Sequence, residues 1–302
     1  MRLLLWWAGR ALSSAVTLLG ISVLIFAALR LMPGGFAETI LGPFATPAQK
    51  AELAARYGLD QSVFAQYGHW LAAVGTGDFG TSMISRQPVA AELWARLPVT
   101  GRLTLFAVAA AVLAGVPLGV LTALRARPGG GGAAGRLLSG LGVSVPEFAL
   151  GSLVVFVVSR YGLQTSGYLL PAAVLSIFAI SATARTTRDA VLNVLVEPHV
   201  TAAVARGETP WFIVRHHILR NAAGPVLTLT ATITAYLLGG ALIVEYLFNL
   251  PGIGSYVVQA VGRRDYAVVQ AGVLLAATVF IVMNVLIDLL VGLVDPRLGR
   301  RA

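Results

Sequence analysis

The chain has 302 residues, 57% of them hydrophobic and 12% charged, with a net charge of +9 and no cysteine. A mean hydropathy of +0.81 excludes a soluble globular domain and sets the class as integral membrane protein. The missing cysteines exclude disulfides, thiolate zinc sites and iron-sulfur clusters, and basic residues gathered at the ends of apolar runs argue against nucleic-acid binding.

A bilayer core about 30 Å thick is crossed by roughly 20 helical residues, so long stretches free of Asp, Glu, Lys and Arg mark the spans. Five occur, at 11–29, 103–124, 161–184, 221–244 and 266–287, and a sixth at 137–159 is interrupted only by Glu147. Lipid offers the backbone no hydrogen-bond partner, so all are expected to be helices. The reading is a single all-α transmembrane domain with six spans, over about 11–32, 101–124, 137–159, 166–186, 221–247 and 266–293. The first, behind Arg2, Trp6, Trp7 and Arg10, resembles a signal peptide, but five further spans make an uncleaved anchor the expectation.

Placing the amino terminus inside puts Arg2, Arg10, Arg125, Arg127, Arg136, Arg185, Arg188, Arg206, Arg215, Arg220, Arg297, Arg300 and Arg301 on the cytoplasmic side, 13 of the 22 basic residues. Most of the rest fall in or near the long loop 33–100, which translocates regardless of charge. Both termini are therefore expected in the cytoplasm, in a multi-pass membrane protein.

Within loop 33–100, Thr46, Pro47 and Gln49 spell a capping box with proline at the first helical position, ahead of a short helix ended near Gly58. The loop is expected to form a helical cap on the outer face. A glycine-rich turn, 126–136, joins spans two and three. The 36 residues from Arg185 to Arg220 exceed what two antiparallel spans need. Inside this stretch a helix over 198–206 would close on a left-handed Gly207, and Thr209 and Pro210 would start a second short helix.

Glu147 is a carboxylate within a span, where charge costs about 2.5 to 3.5 kcal/mol, so it is expected to face a cavity or a partner. Pro146 beside it bends the span. A translocation path lined by Ser144, Pro146 and Glu147, attracting a cationic substrate end, stands against an internal ion pair or a protonated acid. Glu245 and Asp288 fall near opposite membrane faces, where interfacial roles are expected. Neighbouring His216 and His217 diverge by about 100° on a helix and cannot share one metal, so no metal is expected. Gly239, Gly240, Ala231, Ala235 and Thr228 offer small faces for close packing against another chain.

The segment HVTAAVARGETPWFIVRHHILRNAAGP, residues 199–225, resembles the EAA loop of ABC-transporter permeases of the dipeptide, oligopeptide and nickel importer type. Ala203 and Gly207 fall on the alanine and glycine of that pattern, and His217, Leu219, Arg220, Asn221 and Pro225 on the family's His-x-Leu-Arg-Asn-x-x-x-Pro. There is no glutamate at the first EAA position, and Val204 and His216 stand where basic residues are usual. LRLMPGG at 29–35, GDFGTS at 77–82, SVPEF at 144–148, VEYLFNLPGIG at 244–254, RDYAVVQ at 264–270 and DPRLG at 295–299 resemble further family signatures, in order.

The resemblance implies a type I importer permease fold with a cytoplasmic coupling loop, 187–220. It also implies a partner set: a second homologous permease, two cytoplasmic ATP-binding subunits and an extracytoplasmic substrate-binding protein, with lipid around the spans. Ala203, Gly207, Glu208, Trp211, Arg215, His217 and Arg220 would serve the ATPase contact, and Asp78, Arg263 and Asp265 the binding-protein side. A phosphate-binding loop needs Gly-Lys-Ser/Thr, yet the only lysine is Lys50 behind Gln49, so ATP and Mg are expected on partner subunits and no catalytic residue here.

The expected substrate is a di- or oligopeptide, with a nickel chelate, glutathione or another small solute as alternatives. A proton-driven secondary transporter using Glu147 and Asp288 would predict internal repeats with matched broken helices, and the two halves show none. A membrane hydrolase would need a base at membrane depth, whereas His69, His199, His216 and His217 all lie in loops.

Overall fold

The computed structural model describes residues 2–31, 41–42, 44–56, 60–126, 140, 142–162 and 167–294. The glycine-rich turn, most of the LRLMPGG and DPRLG signatures and the Asp288 side chain lie outside the described residues. Helices are α1 (Arg2–Arg30), α2 (Pro47–Arg56), α3 (Val63–Gly75), α4 (Val89–Ala110), α5 (Val116–Leu124), α6 (Glu147–Arg160), α7 (Leu169–Leu195), α8 (Pro198–Ala205), α9 (Pro210–Phe212), α10 (Leu219–Leu247), α11 (Ile253–Arg263) and α12 (Tyr266–Val294). One π-helical turn, Ala111–Gly115, joins α4 to α5 and another, Ile213–Ile218, joins α9 to α10. Among the described residues the only β pairing is a bridge between Thr81 and Pro88.

Four helices are long and apolar enough to cross a membrane, Trp7–Arg30, Val89–Leu124, Leu169–Leu195 and Tyr266–Leu286. A fifth results if Pro210–Leu238 and Ala241–Leu247, bent by 45° at a glycine pair, form one span. Three helices have bounds that differ from the expected spans. Helix α4 starts at Val89 rather than near 101, carrying Glu92 and Arg96 as an ion pair one turn apart, 2.7 Å between Nη2 and Oε2. Helix α7 runs on to Leu195, past Arg185 and Arg188. Within the stretch expected as the third span, Pro146 is extended, ψ 134°, and the 14-residue α6 starts after it.

The chain divides into two compact units, Met1–Pro98 with Pro251–Ile281, and Val99–Leu250 with Val282–Ala302. In the first, Leu29, Val89, Leu93, Ile253, Val257 and Val268 form the core. The expected capping box forms, with the Thr46 N–H donating to Gln49 Oε1 at 2.9 Å and the Gln49 N–H to Thr46 Oγ1 at 3.3 Å. The loop is not only a cap on the outer face, because α3 lies along α1. Tyr67 Oη is 2.7 Å from Ser22 Oγ, and the Tyr67 and Trp70 rings pack on Phe26 at 5.3 and 5.7 Å. An apolar cavity of about 520 Å³ lies between α1, α3 and α12, lined by residues such as Leu19, Leu71, Phe79 and Leu275.

In the second unit Leu103, Leu175, Leu237 and Val244 centre the core. Here α5 and α7 cross at backbone distance. A Cβ placed on Gly115 would lie 2.9 Å from the Ile180 carbonyl oxygen, and one on Gly119 would lie 2.6 Å from that of Ala184. Glycines four apart on one helix, facing Thr183 and Thr187 four apart on the other, are how helices approach closely where lipid supplies no hydrophobic drive. Ala235 is buried by this chain's own core, which corrects its expected role in packing against another chain.

Four helices end in the same way. Gly77, Gly207, Asn249 and Arg264 adopt left-handed conformations, φ 85°, 75°, 51° and 57°, just past α3, α8, α10 and α11. In each case the next residue's N–H reaches back five positions: Asp78 to Ala73, Glu208 to Ala203, Leu250 to Glu245 and Asp265 to Ala260, at 2.8 to 3.2 Å. These are Schellman closures, and they explain why the sequence signatures fall where they do. Replacing Gly119 by Val should lower stability by about 1 to 3 kcal/mol through overpacking at the α5–α7 crossing. Gly20, which has open space around its Cβ direction, serves as the control in thermal unfolding of detergent-solubilised protein.

Candidate functional site

Three groups of expected site residues occupy distinct places. The polar elbow between α7 and α10 is the most fully built. Its one buried face, Val200 and Ala203 of α8, packs with Ile213, Ile218 and Ala222 against Val191 and Val194 of α7 and Ala123 of α5. The short helix therefore has a small core of its own, which an isolated eight-residue helix would need in order to persist.

Glu208, the residue after the Gly207 closure, is held from two sides. Arg206 Nε and Nη2 donate to its Oε1 at 3.0 and 2.7 Å, and His217 Nε2 lies 2.8 Å from its Oε2. The Arg206 hydrogen bonds, seconded by His217 and opposed by slight desolvation, hold the Glu208 carboxyl below the usual carboxylate range. At the other end of α8, Asn221 Nδ2 lies 3.3 Å from His199 Nε2 and donates to the His217 carbonyl oxygen at 2.6 Å. His199 Nδ1 lies 3.1 Å from Glu197 Oε2. His216 stacks on Phe212 with ring centroids 4.1 Å apart, while His217 meets the same ring edge-on at 6.1 Å.

Of the expected contact residues, Trp211 is 71% exposed and Arg215 and Arg220 are exposed, whereas Ala203 is fully buried and Glu208 and His217 turn toward each other. Val204, 61% exposed, adds an apolar residue to the outer side of α8. One local expectation is corrected: Thr209 occupies the N-cap position with extended backbone, but its side chain makes no cap bond. A second is corrected too, since the short helix from Pro210 is not separate but continues through the π turn into α10.

The break before α6 places Glu147 in that helix's first turn, not at a helix centre. Among the described residues its Oε1 is buried without a hydrogen-bond partner. Tyr236 of α10 lies within electrostatic reach and packs on Phe178 at 5.2 Å. Ser144 Oγ donates to the Gly140 carbonyl at 2.9 Å.

In the other unit, GDFGTS folds as a tight hairpin-like loop. Asp78 Oδ1 accepts from the Gly80 N–H at 2.8 Å, and the Val89 N–H returns to the Gly80 carbonyl at 3.0 Å. Ser82 Oγ donates to Asp265 Oδ2 at 2.5 Å across 183 positions of sequence, joining this signature to RDYAVVQ. Asp265 is only 2% exposed and turned to Ser82, while Arg263 is exposed. Next to it, Arg96 stacks on the Tyr256 ring at 4.4 Å, and burial, with Glu92 and Asp265 nearby, pushes the Tyr256 phenol up. The Ser82–Asp265 and Glu208–His217 pairs are not visible from spacing; the one local signal is that Glu208 and Asp265 each follow a left-handed helix-ending residue, Gly207 and Arg264.

Long apolar helices, with a polar elbow seated on a core of its own, are the features of a membrane transport subunit. Residues 115–300 match the family described as binding-protein-dependent transport system inner membrane component, and residues 3–104 match the amino-terminal segment of such membrane components. The chain belongs to this family, the permeases of ABC importers. It is 35% identical to a probable peptide ABC transporter permease of Sinorhizobium fredii, over 96% of this chain and 97% of that one. It is 39% identical to a glutathione transport system permease of Salmonella choleraesuis, over 95% and 96%. It is 33% identical to a dipeptide transport system permease of Alkalihalophilus pseudofirmus, over 93% and 95%. A crystal structure of an amino acid ABC transporter with histidines shares the fold, with a TM-score of 0.52 at 19% identity over 68% of this chain and 94% of that one.

Two outcomes follow. Asp265→Leu and Ser82→Ala should each destabilise the first unit by about 1 to 3 kcal/mol, since one buried partner is left unmatched, and expose 77–88 to protease. Because the Glu208 carboxyl is depressed, its contribution is complete above the ordinary carboxylate range and is lost as pH falls through the lower value. Amide exchange at 203–208 should thus stay slow in mild acid and quicken only in stronger acid, and Glu208→Gln should remove that dependence.

Proposed function

We propose that this chain is one half of the translocation channel of an ATP-driven peptide importer, with six spans, both termini in the cytoplasm and the elbow 187–220 as its EAA coupling loop. In this reading a second homologous permease completes the channel. Two cytoplasmic ATP-binding subunits carry ATP and Mg, and a binding protein delivers substrate from outside. No step of ATP hydrolysis is assigned to this chain.

The observation that carries the reading is the elbow: a short helix with its own core, closed at Gly207, presenting Val204, Trp211 and Arg215 outward. An exposed tryptophan beside an arginine is the composition of an interface anchor. Arg220 adds a basic rim, while Ala203, Gly207, Glu208 and His217 shape the loop. On the opposite side, Asp78 sets the turn of the first loop, and Arg263, on the last turn of α11, is offered to the binding protein, with Asp265 behind it.

Relatives named for peptides, dipeptides and glutathione have a common chemistry, since glutathione is itself a tripeptide. Their shared features are a cationic amino end and a short amide chain. Glu147, at a helix break with Pro146 and Ser144, supplies a carboxylate suited to meet that amino end along the path.

The test isolates the tagged chain with its attached subunits from native membranes and reconstitutes the complex. Uptake should require ATP and persist when the proton gradient is collapsed. Glu147→Gln should lower uptake of a peptide with a free amino end about tenfold, equivalent to about 1.4 kcal/mol, and leave an N-acetylated peptide unaffected. Uptake driven by a proton gradient without ATP would overturn the proposal.

A further inference from the structure

The loop 196–221 contains a feature that docking alone does not require. The helix α8 is tied at both ends to a single turn of the helix that becomes α10. At its carboxyl end the tie is Glu208 to His217, 2.8 Å; at its amino end it is His199 to Asn221, 3.3 Å. His217 and Asn221 are four residues apart and are themselves joined, since Asn221 Nδ2 donates to the His217 carbonyl at 2.6 Å. That bond fixes the Asn221 rotamer and leaves its second amide hydrogen for His199. Arg206, bonded twice to Glu208, steadies the carboxylate from the other side.

The geometry matters because of what the apolar contacts fail to do. Val200 and Ala203 sit on one face of α8 three residues apart, and a core that small resists separation from its neighbours but hardly resists rotation about the helix axis or sliding along it. Two polar ties, one from each end of α8 and with their His199 and His217 rings 6.1 Å apart, oppose both motions. Hydrogen bonds are directional, and charge-assisted ones such as Glu208 to His217 are the strong ones.

We propose that His217 and Asn221 are positioning residues that lock α8 rigidly to the start of α10, so that a displacement of α8 is delivered to the span and not dissipated at the joint. The inference rests on the coupling-loop reading above, and it names the residues that make the loop stiff. Neither residue needs to touch the ATPase. His217 faces inward to Glu208, and Asn221 faces His199.

The experiment uses the complex isolated from native membranes and counts substrate moved per ATP hydrolysed. His217→Phe and Asn221→Leu should each lower that ratio about fivefold, and the double variant more, while the ATPase subunits stay attached. His217→Gln, which keeps an N–H donor at similar reach, should stay within about twofold of wild type. This chain has no cysteine, so the pair Glu208→Cys and His217→Cys can be bridged selectively by a short bis-methanethiosulfonate linker. Bridging should restore the ratio, and reduction should remove it again. A merely structural role would lower assembly and would not respond to the linker in the assembled complex.

A double variant that moves as much substrate per ATP as wild type overturns the proposal. Trp211→Asp separates this result from failure of the underlying reading, since Trp211 is the exposed anchor of the elbow. If it releases the ATPase subunits while the double variant stays coupled, the docking surface stands and the struts fall. If the ATPase subunits stay bound to Trp211→Asp at wild-type strength, the docking surface itself is wrong, and the proposal falls with it.

Discussion

A peptide group in hydrocarbon has no solvent to bond, and this one constraint organises the molecule. Regular helix satisfies the backbone along each apolar run, so every interruption has to be closed by the chain itself. Where the helices stop in the polar loops, Schellman closures at Gly77, Gly207, Asn249 and Arg264 return two donors to the last carbonyls of each helix. Asn249 and Arg264 accept left-handed backbone that a side chain disfavours, at roughly 1 kcal/mol or more apiece. The signatures GDFG, RGE, FNLPG and RRD are, in physical terms, the places where a helix is stopped and the chain re-aimed.

Between the stops, close packing of small residues replaces the hydrophobic drive that water would have given. The α5–α7 crossing at Gly115 and Gly119 brings two backbones together near the root of the elbow, and the core around Val191, Val194 and Ala123 continues from it. The elbow is therefore seated on two long helices of its own unit as well as being continuous with a third. In the other unit the Ser82–Asp265 bond plays a comparable part, fastening a loop from early in the chain to the head of α12.

Much of this was legible in the sequence where a single residue type decides the outcome. Absence of charge marked the long helices, Gly207 marked the turn, and Thr46 with Gln49 marked a capping box that forms with both bonds. What escaped were cases in which two residues jointly cancel a signal. Glu92 and Arg96 are each a charge in sequence but an ion pair in space, so helix α4 starts a dozen residues earlier than charge counting placed it. Pro146 was read as a bend, yet an extended ψ at that residue ends one helix and leaves Glu147 to open another. Gly115 and Gly119 stood in plain view four apart, but the glycines weighed for packing were 239 and 240. Contacts such as Ser82 with Asp265 depend on tertiary arrangement, and no local pattern encodes a partner 183 residues away.

The first unit is drawn from both ends of the polypeptide, residues 1–98 and 251–281, and this has an implication for biogenesis. Leu29, Val89 and Leu93 share their core with Ile253, Val257 and Val268, which leave the ribosome late. The early helices must wait in the insertion machinery or in lipid with an unfinished interior while everything between is synthesised. A chain truncated anywhere before α11 would lose its beginning along with its end, and quality-control proteases would meet it as a whole-protein failure instead of a missing tail.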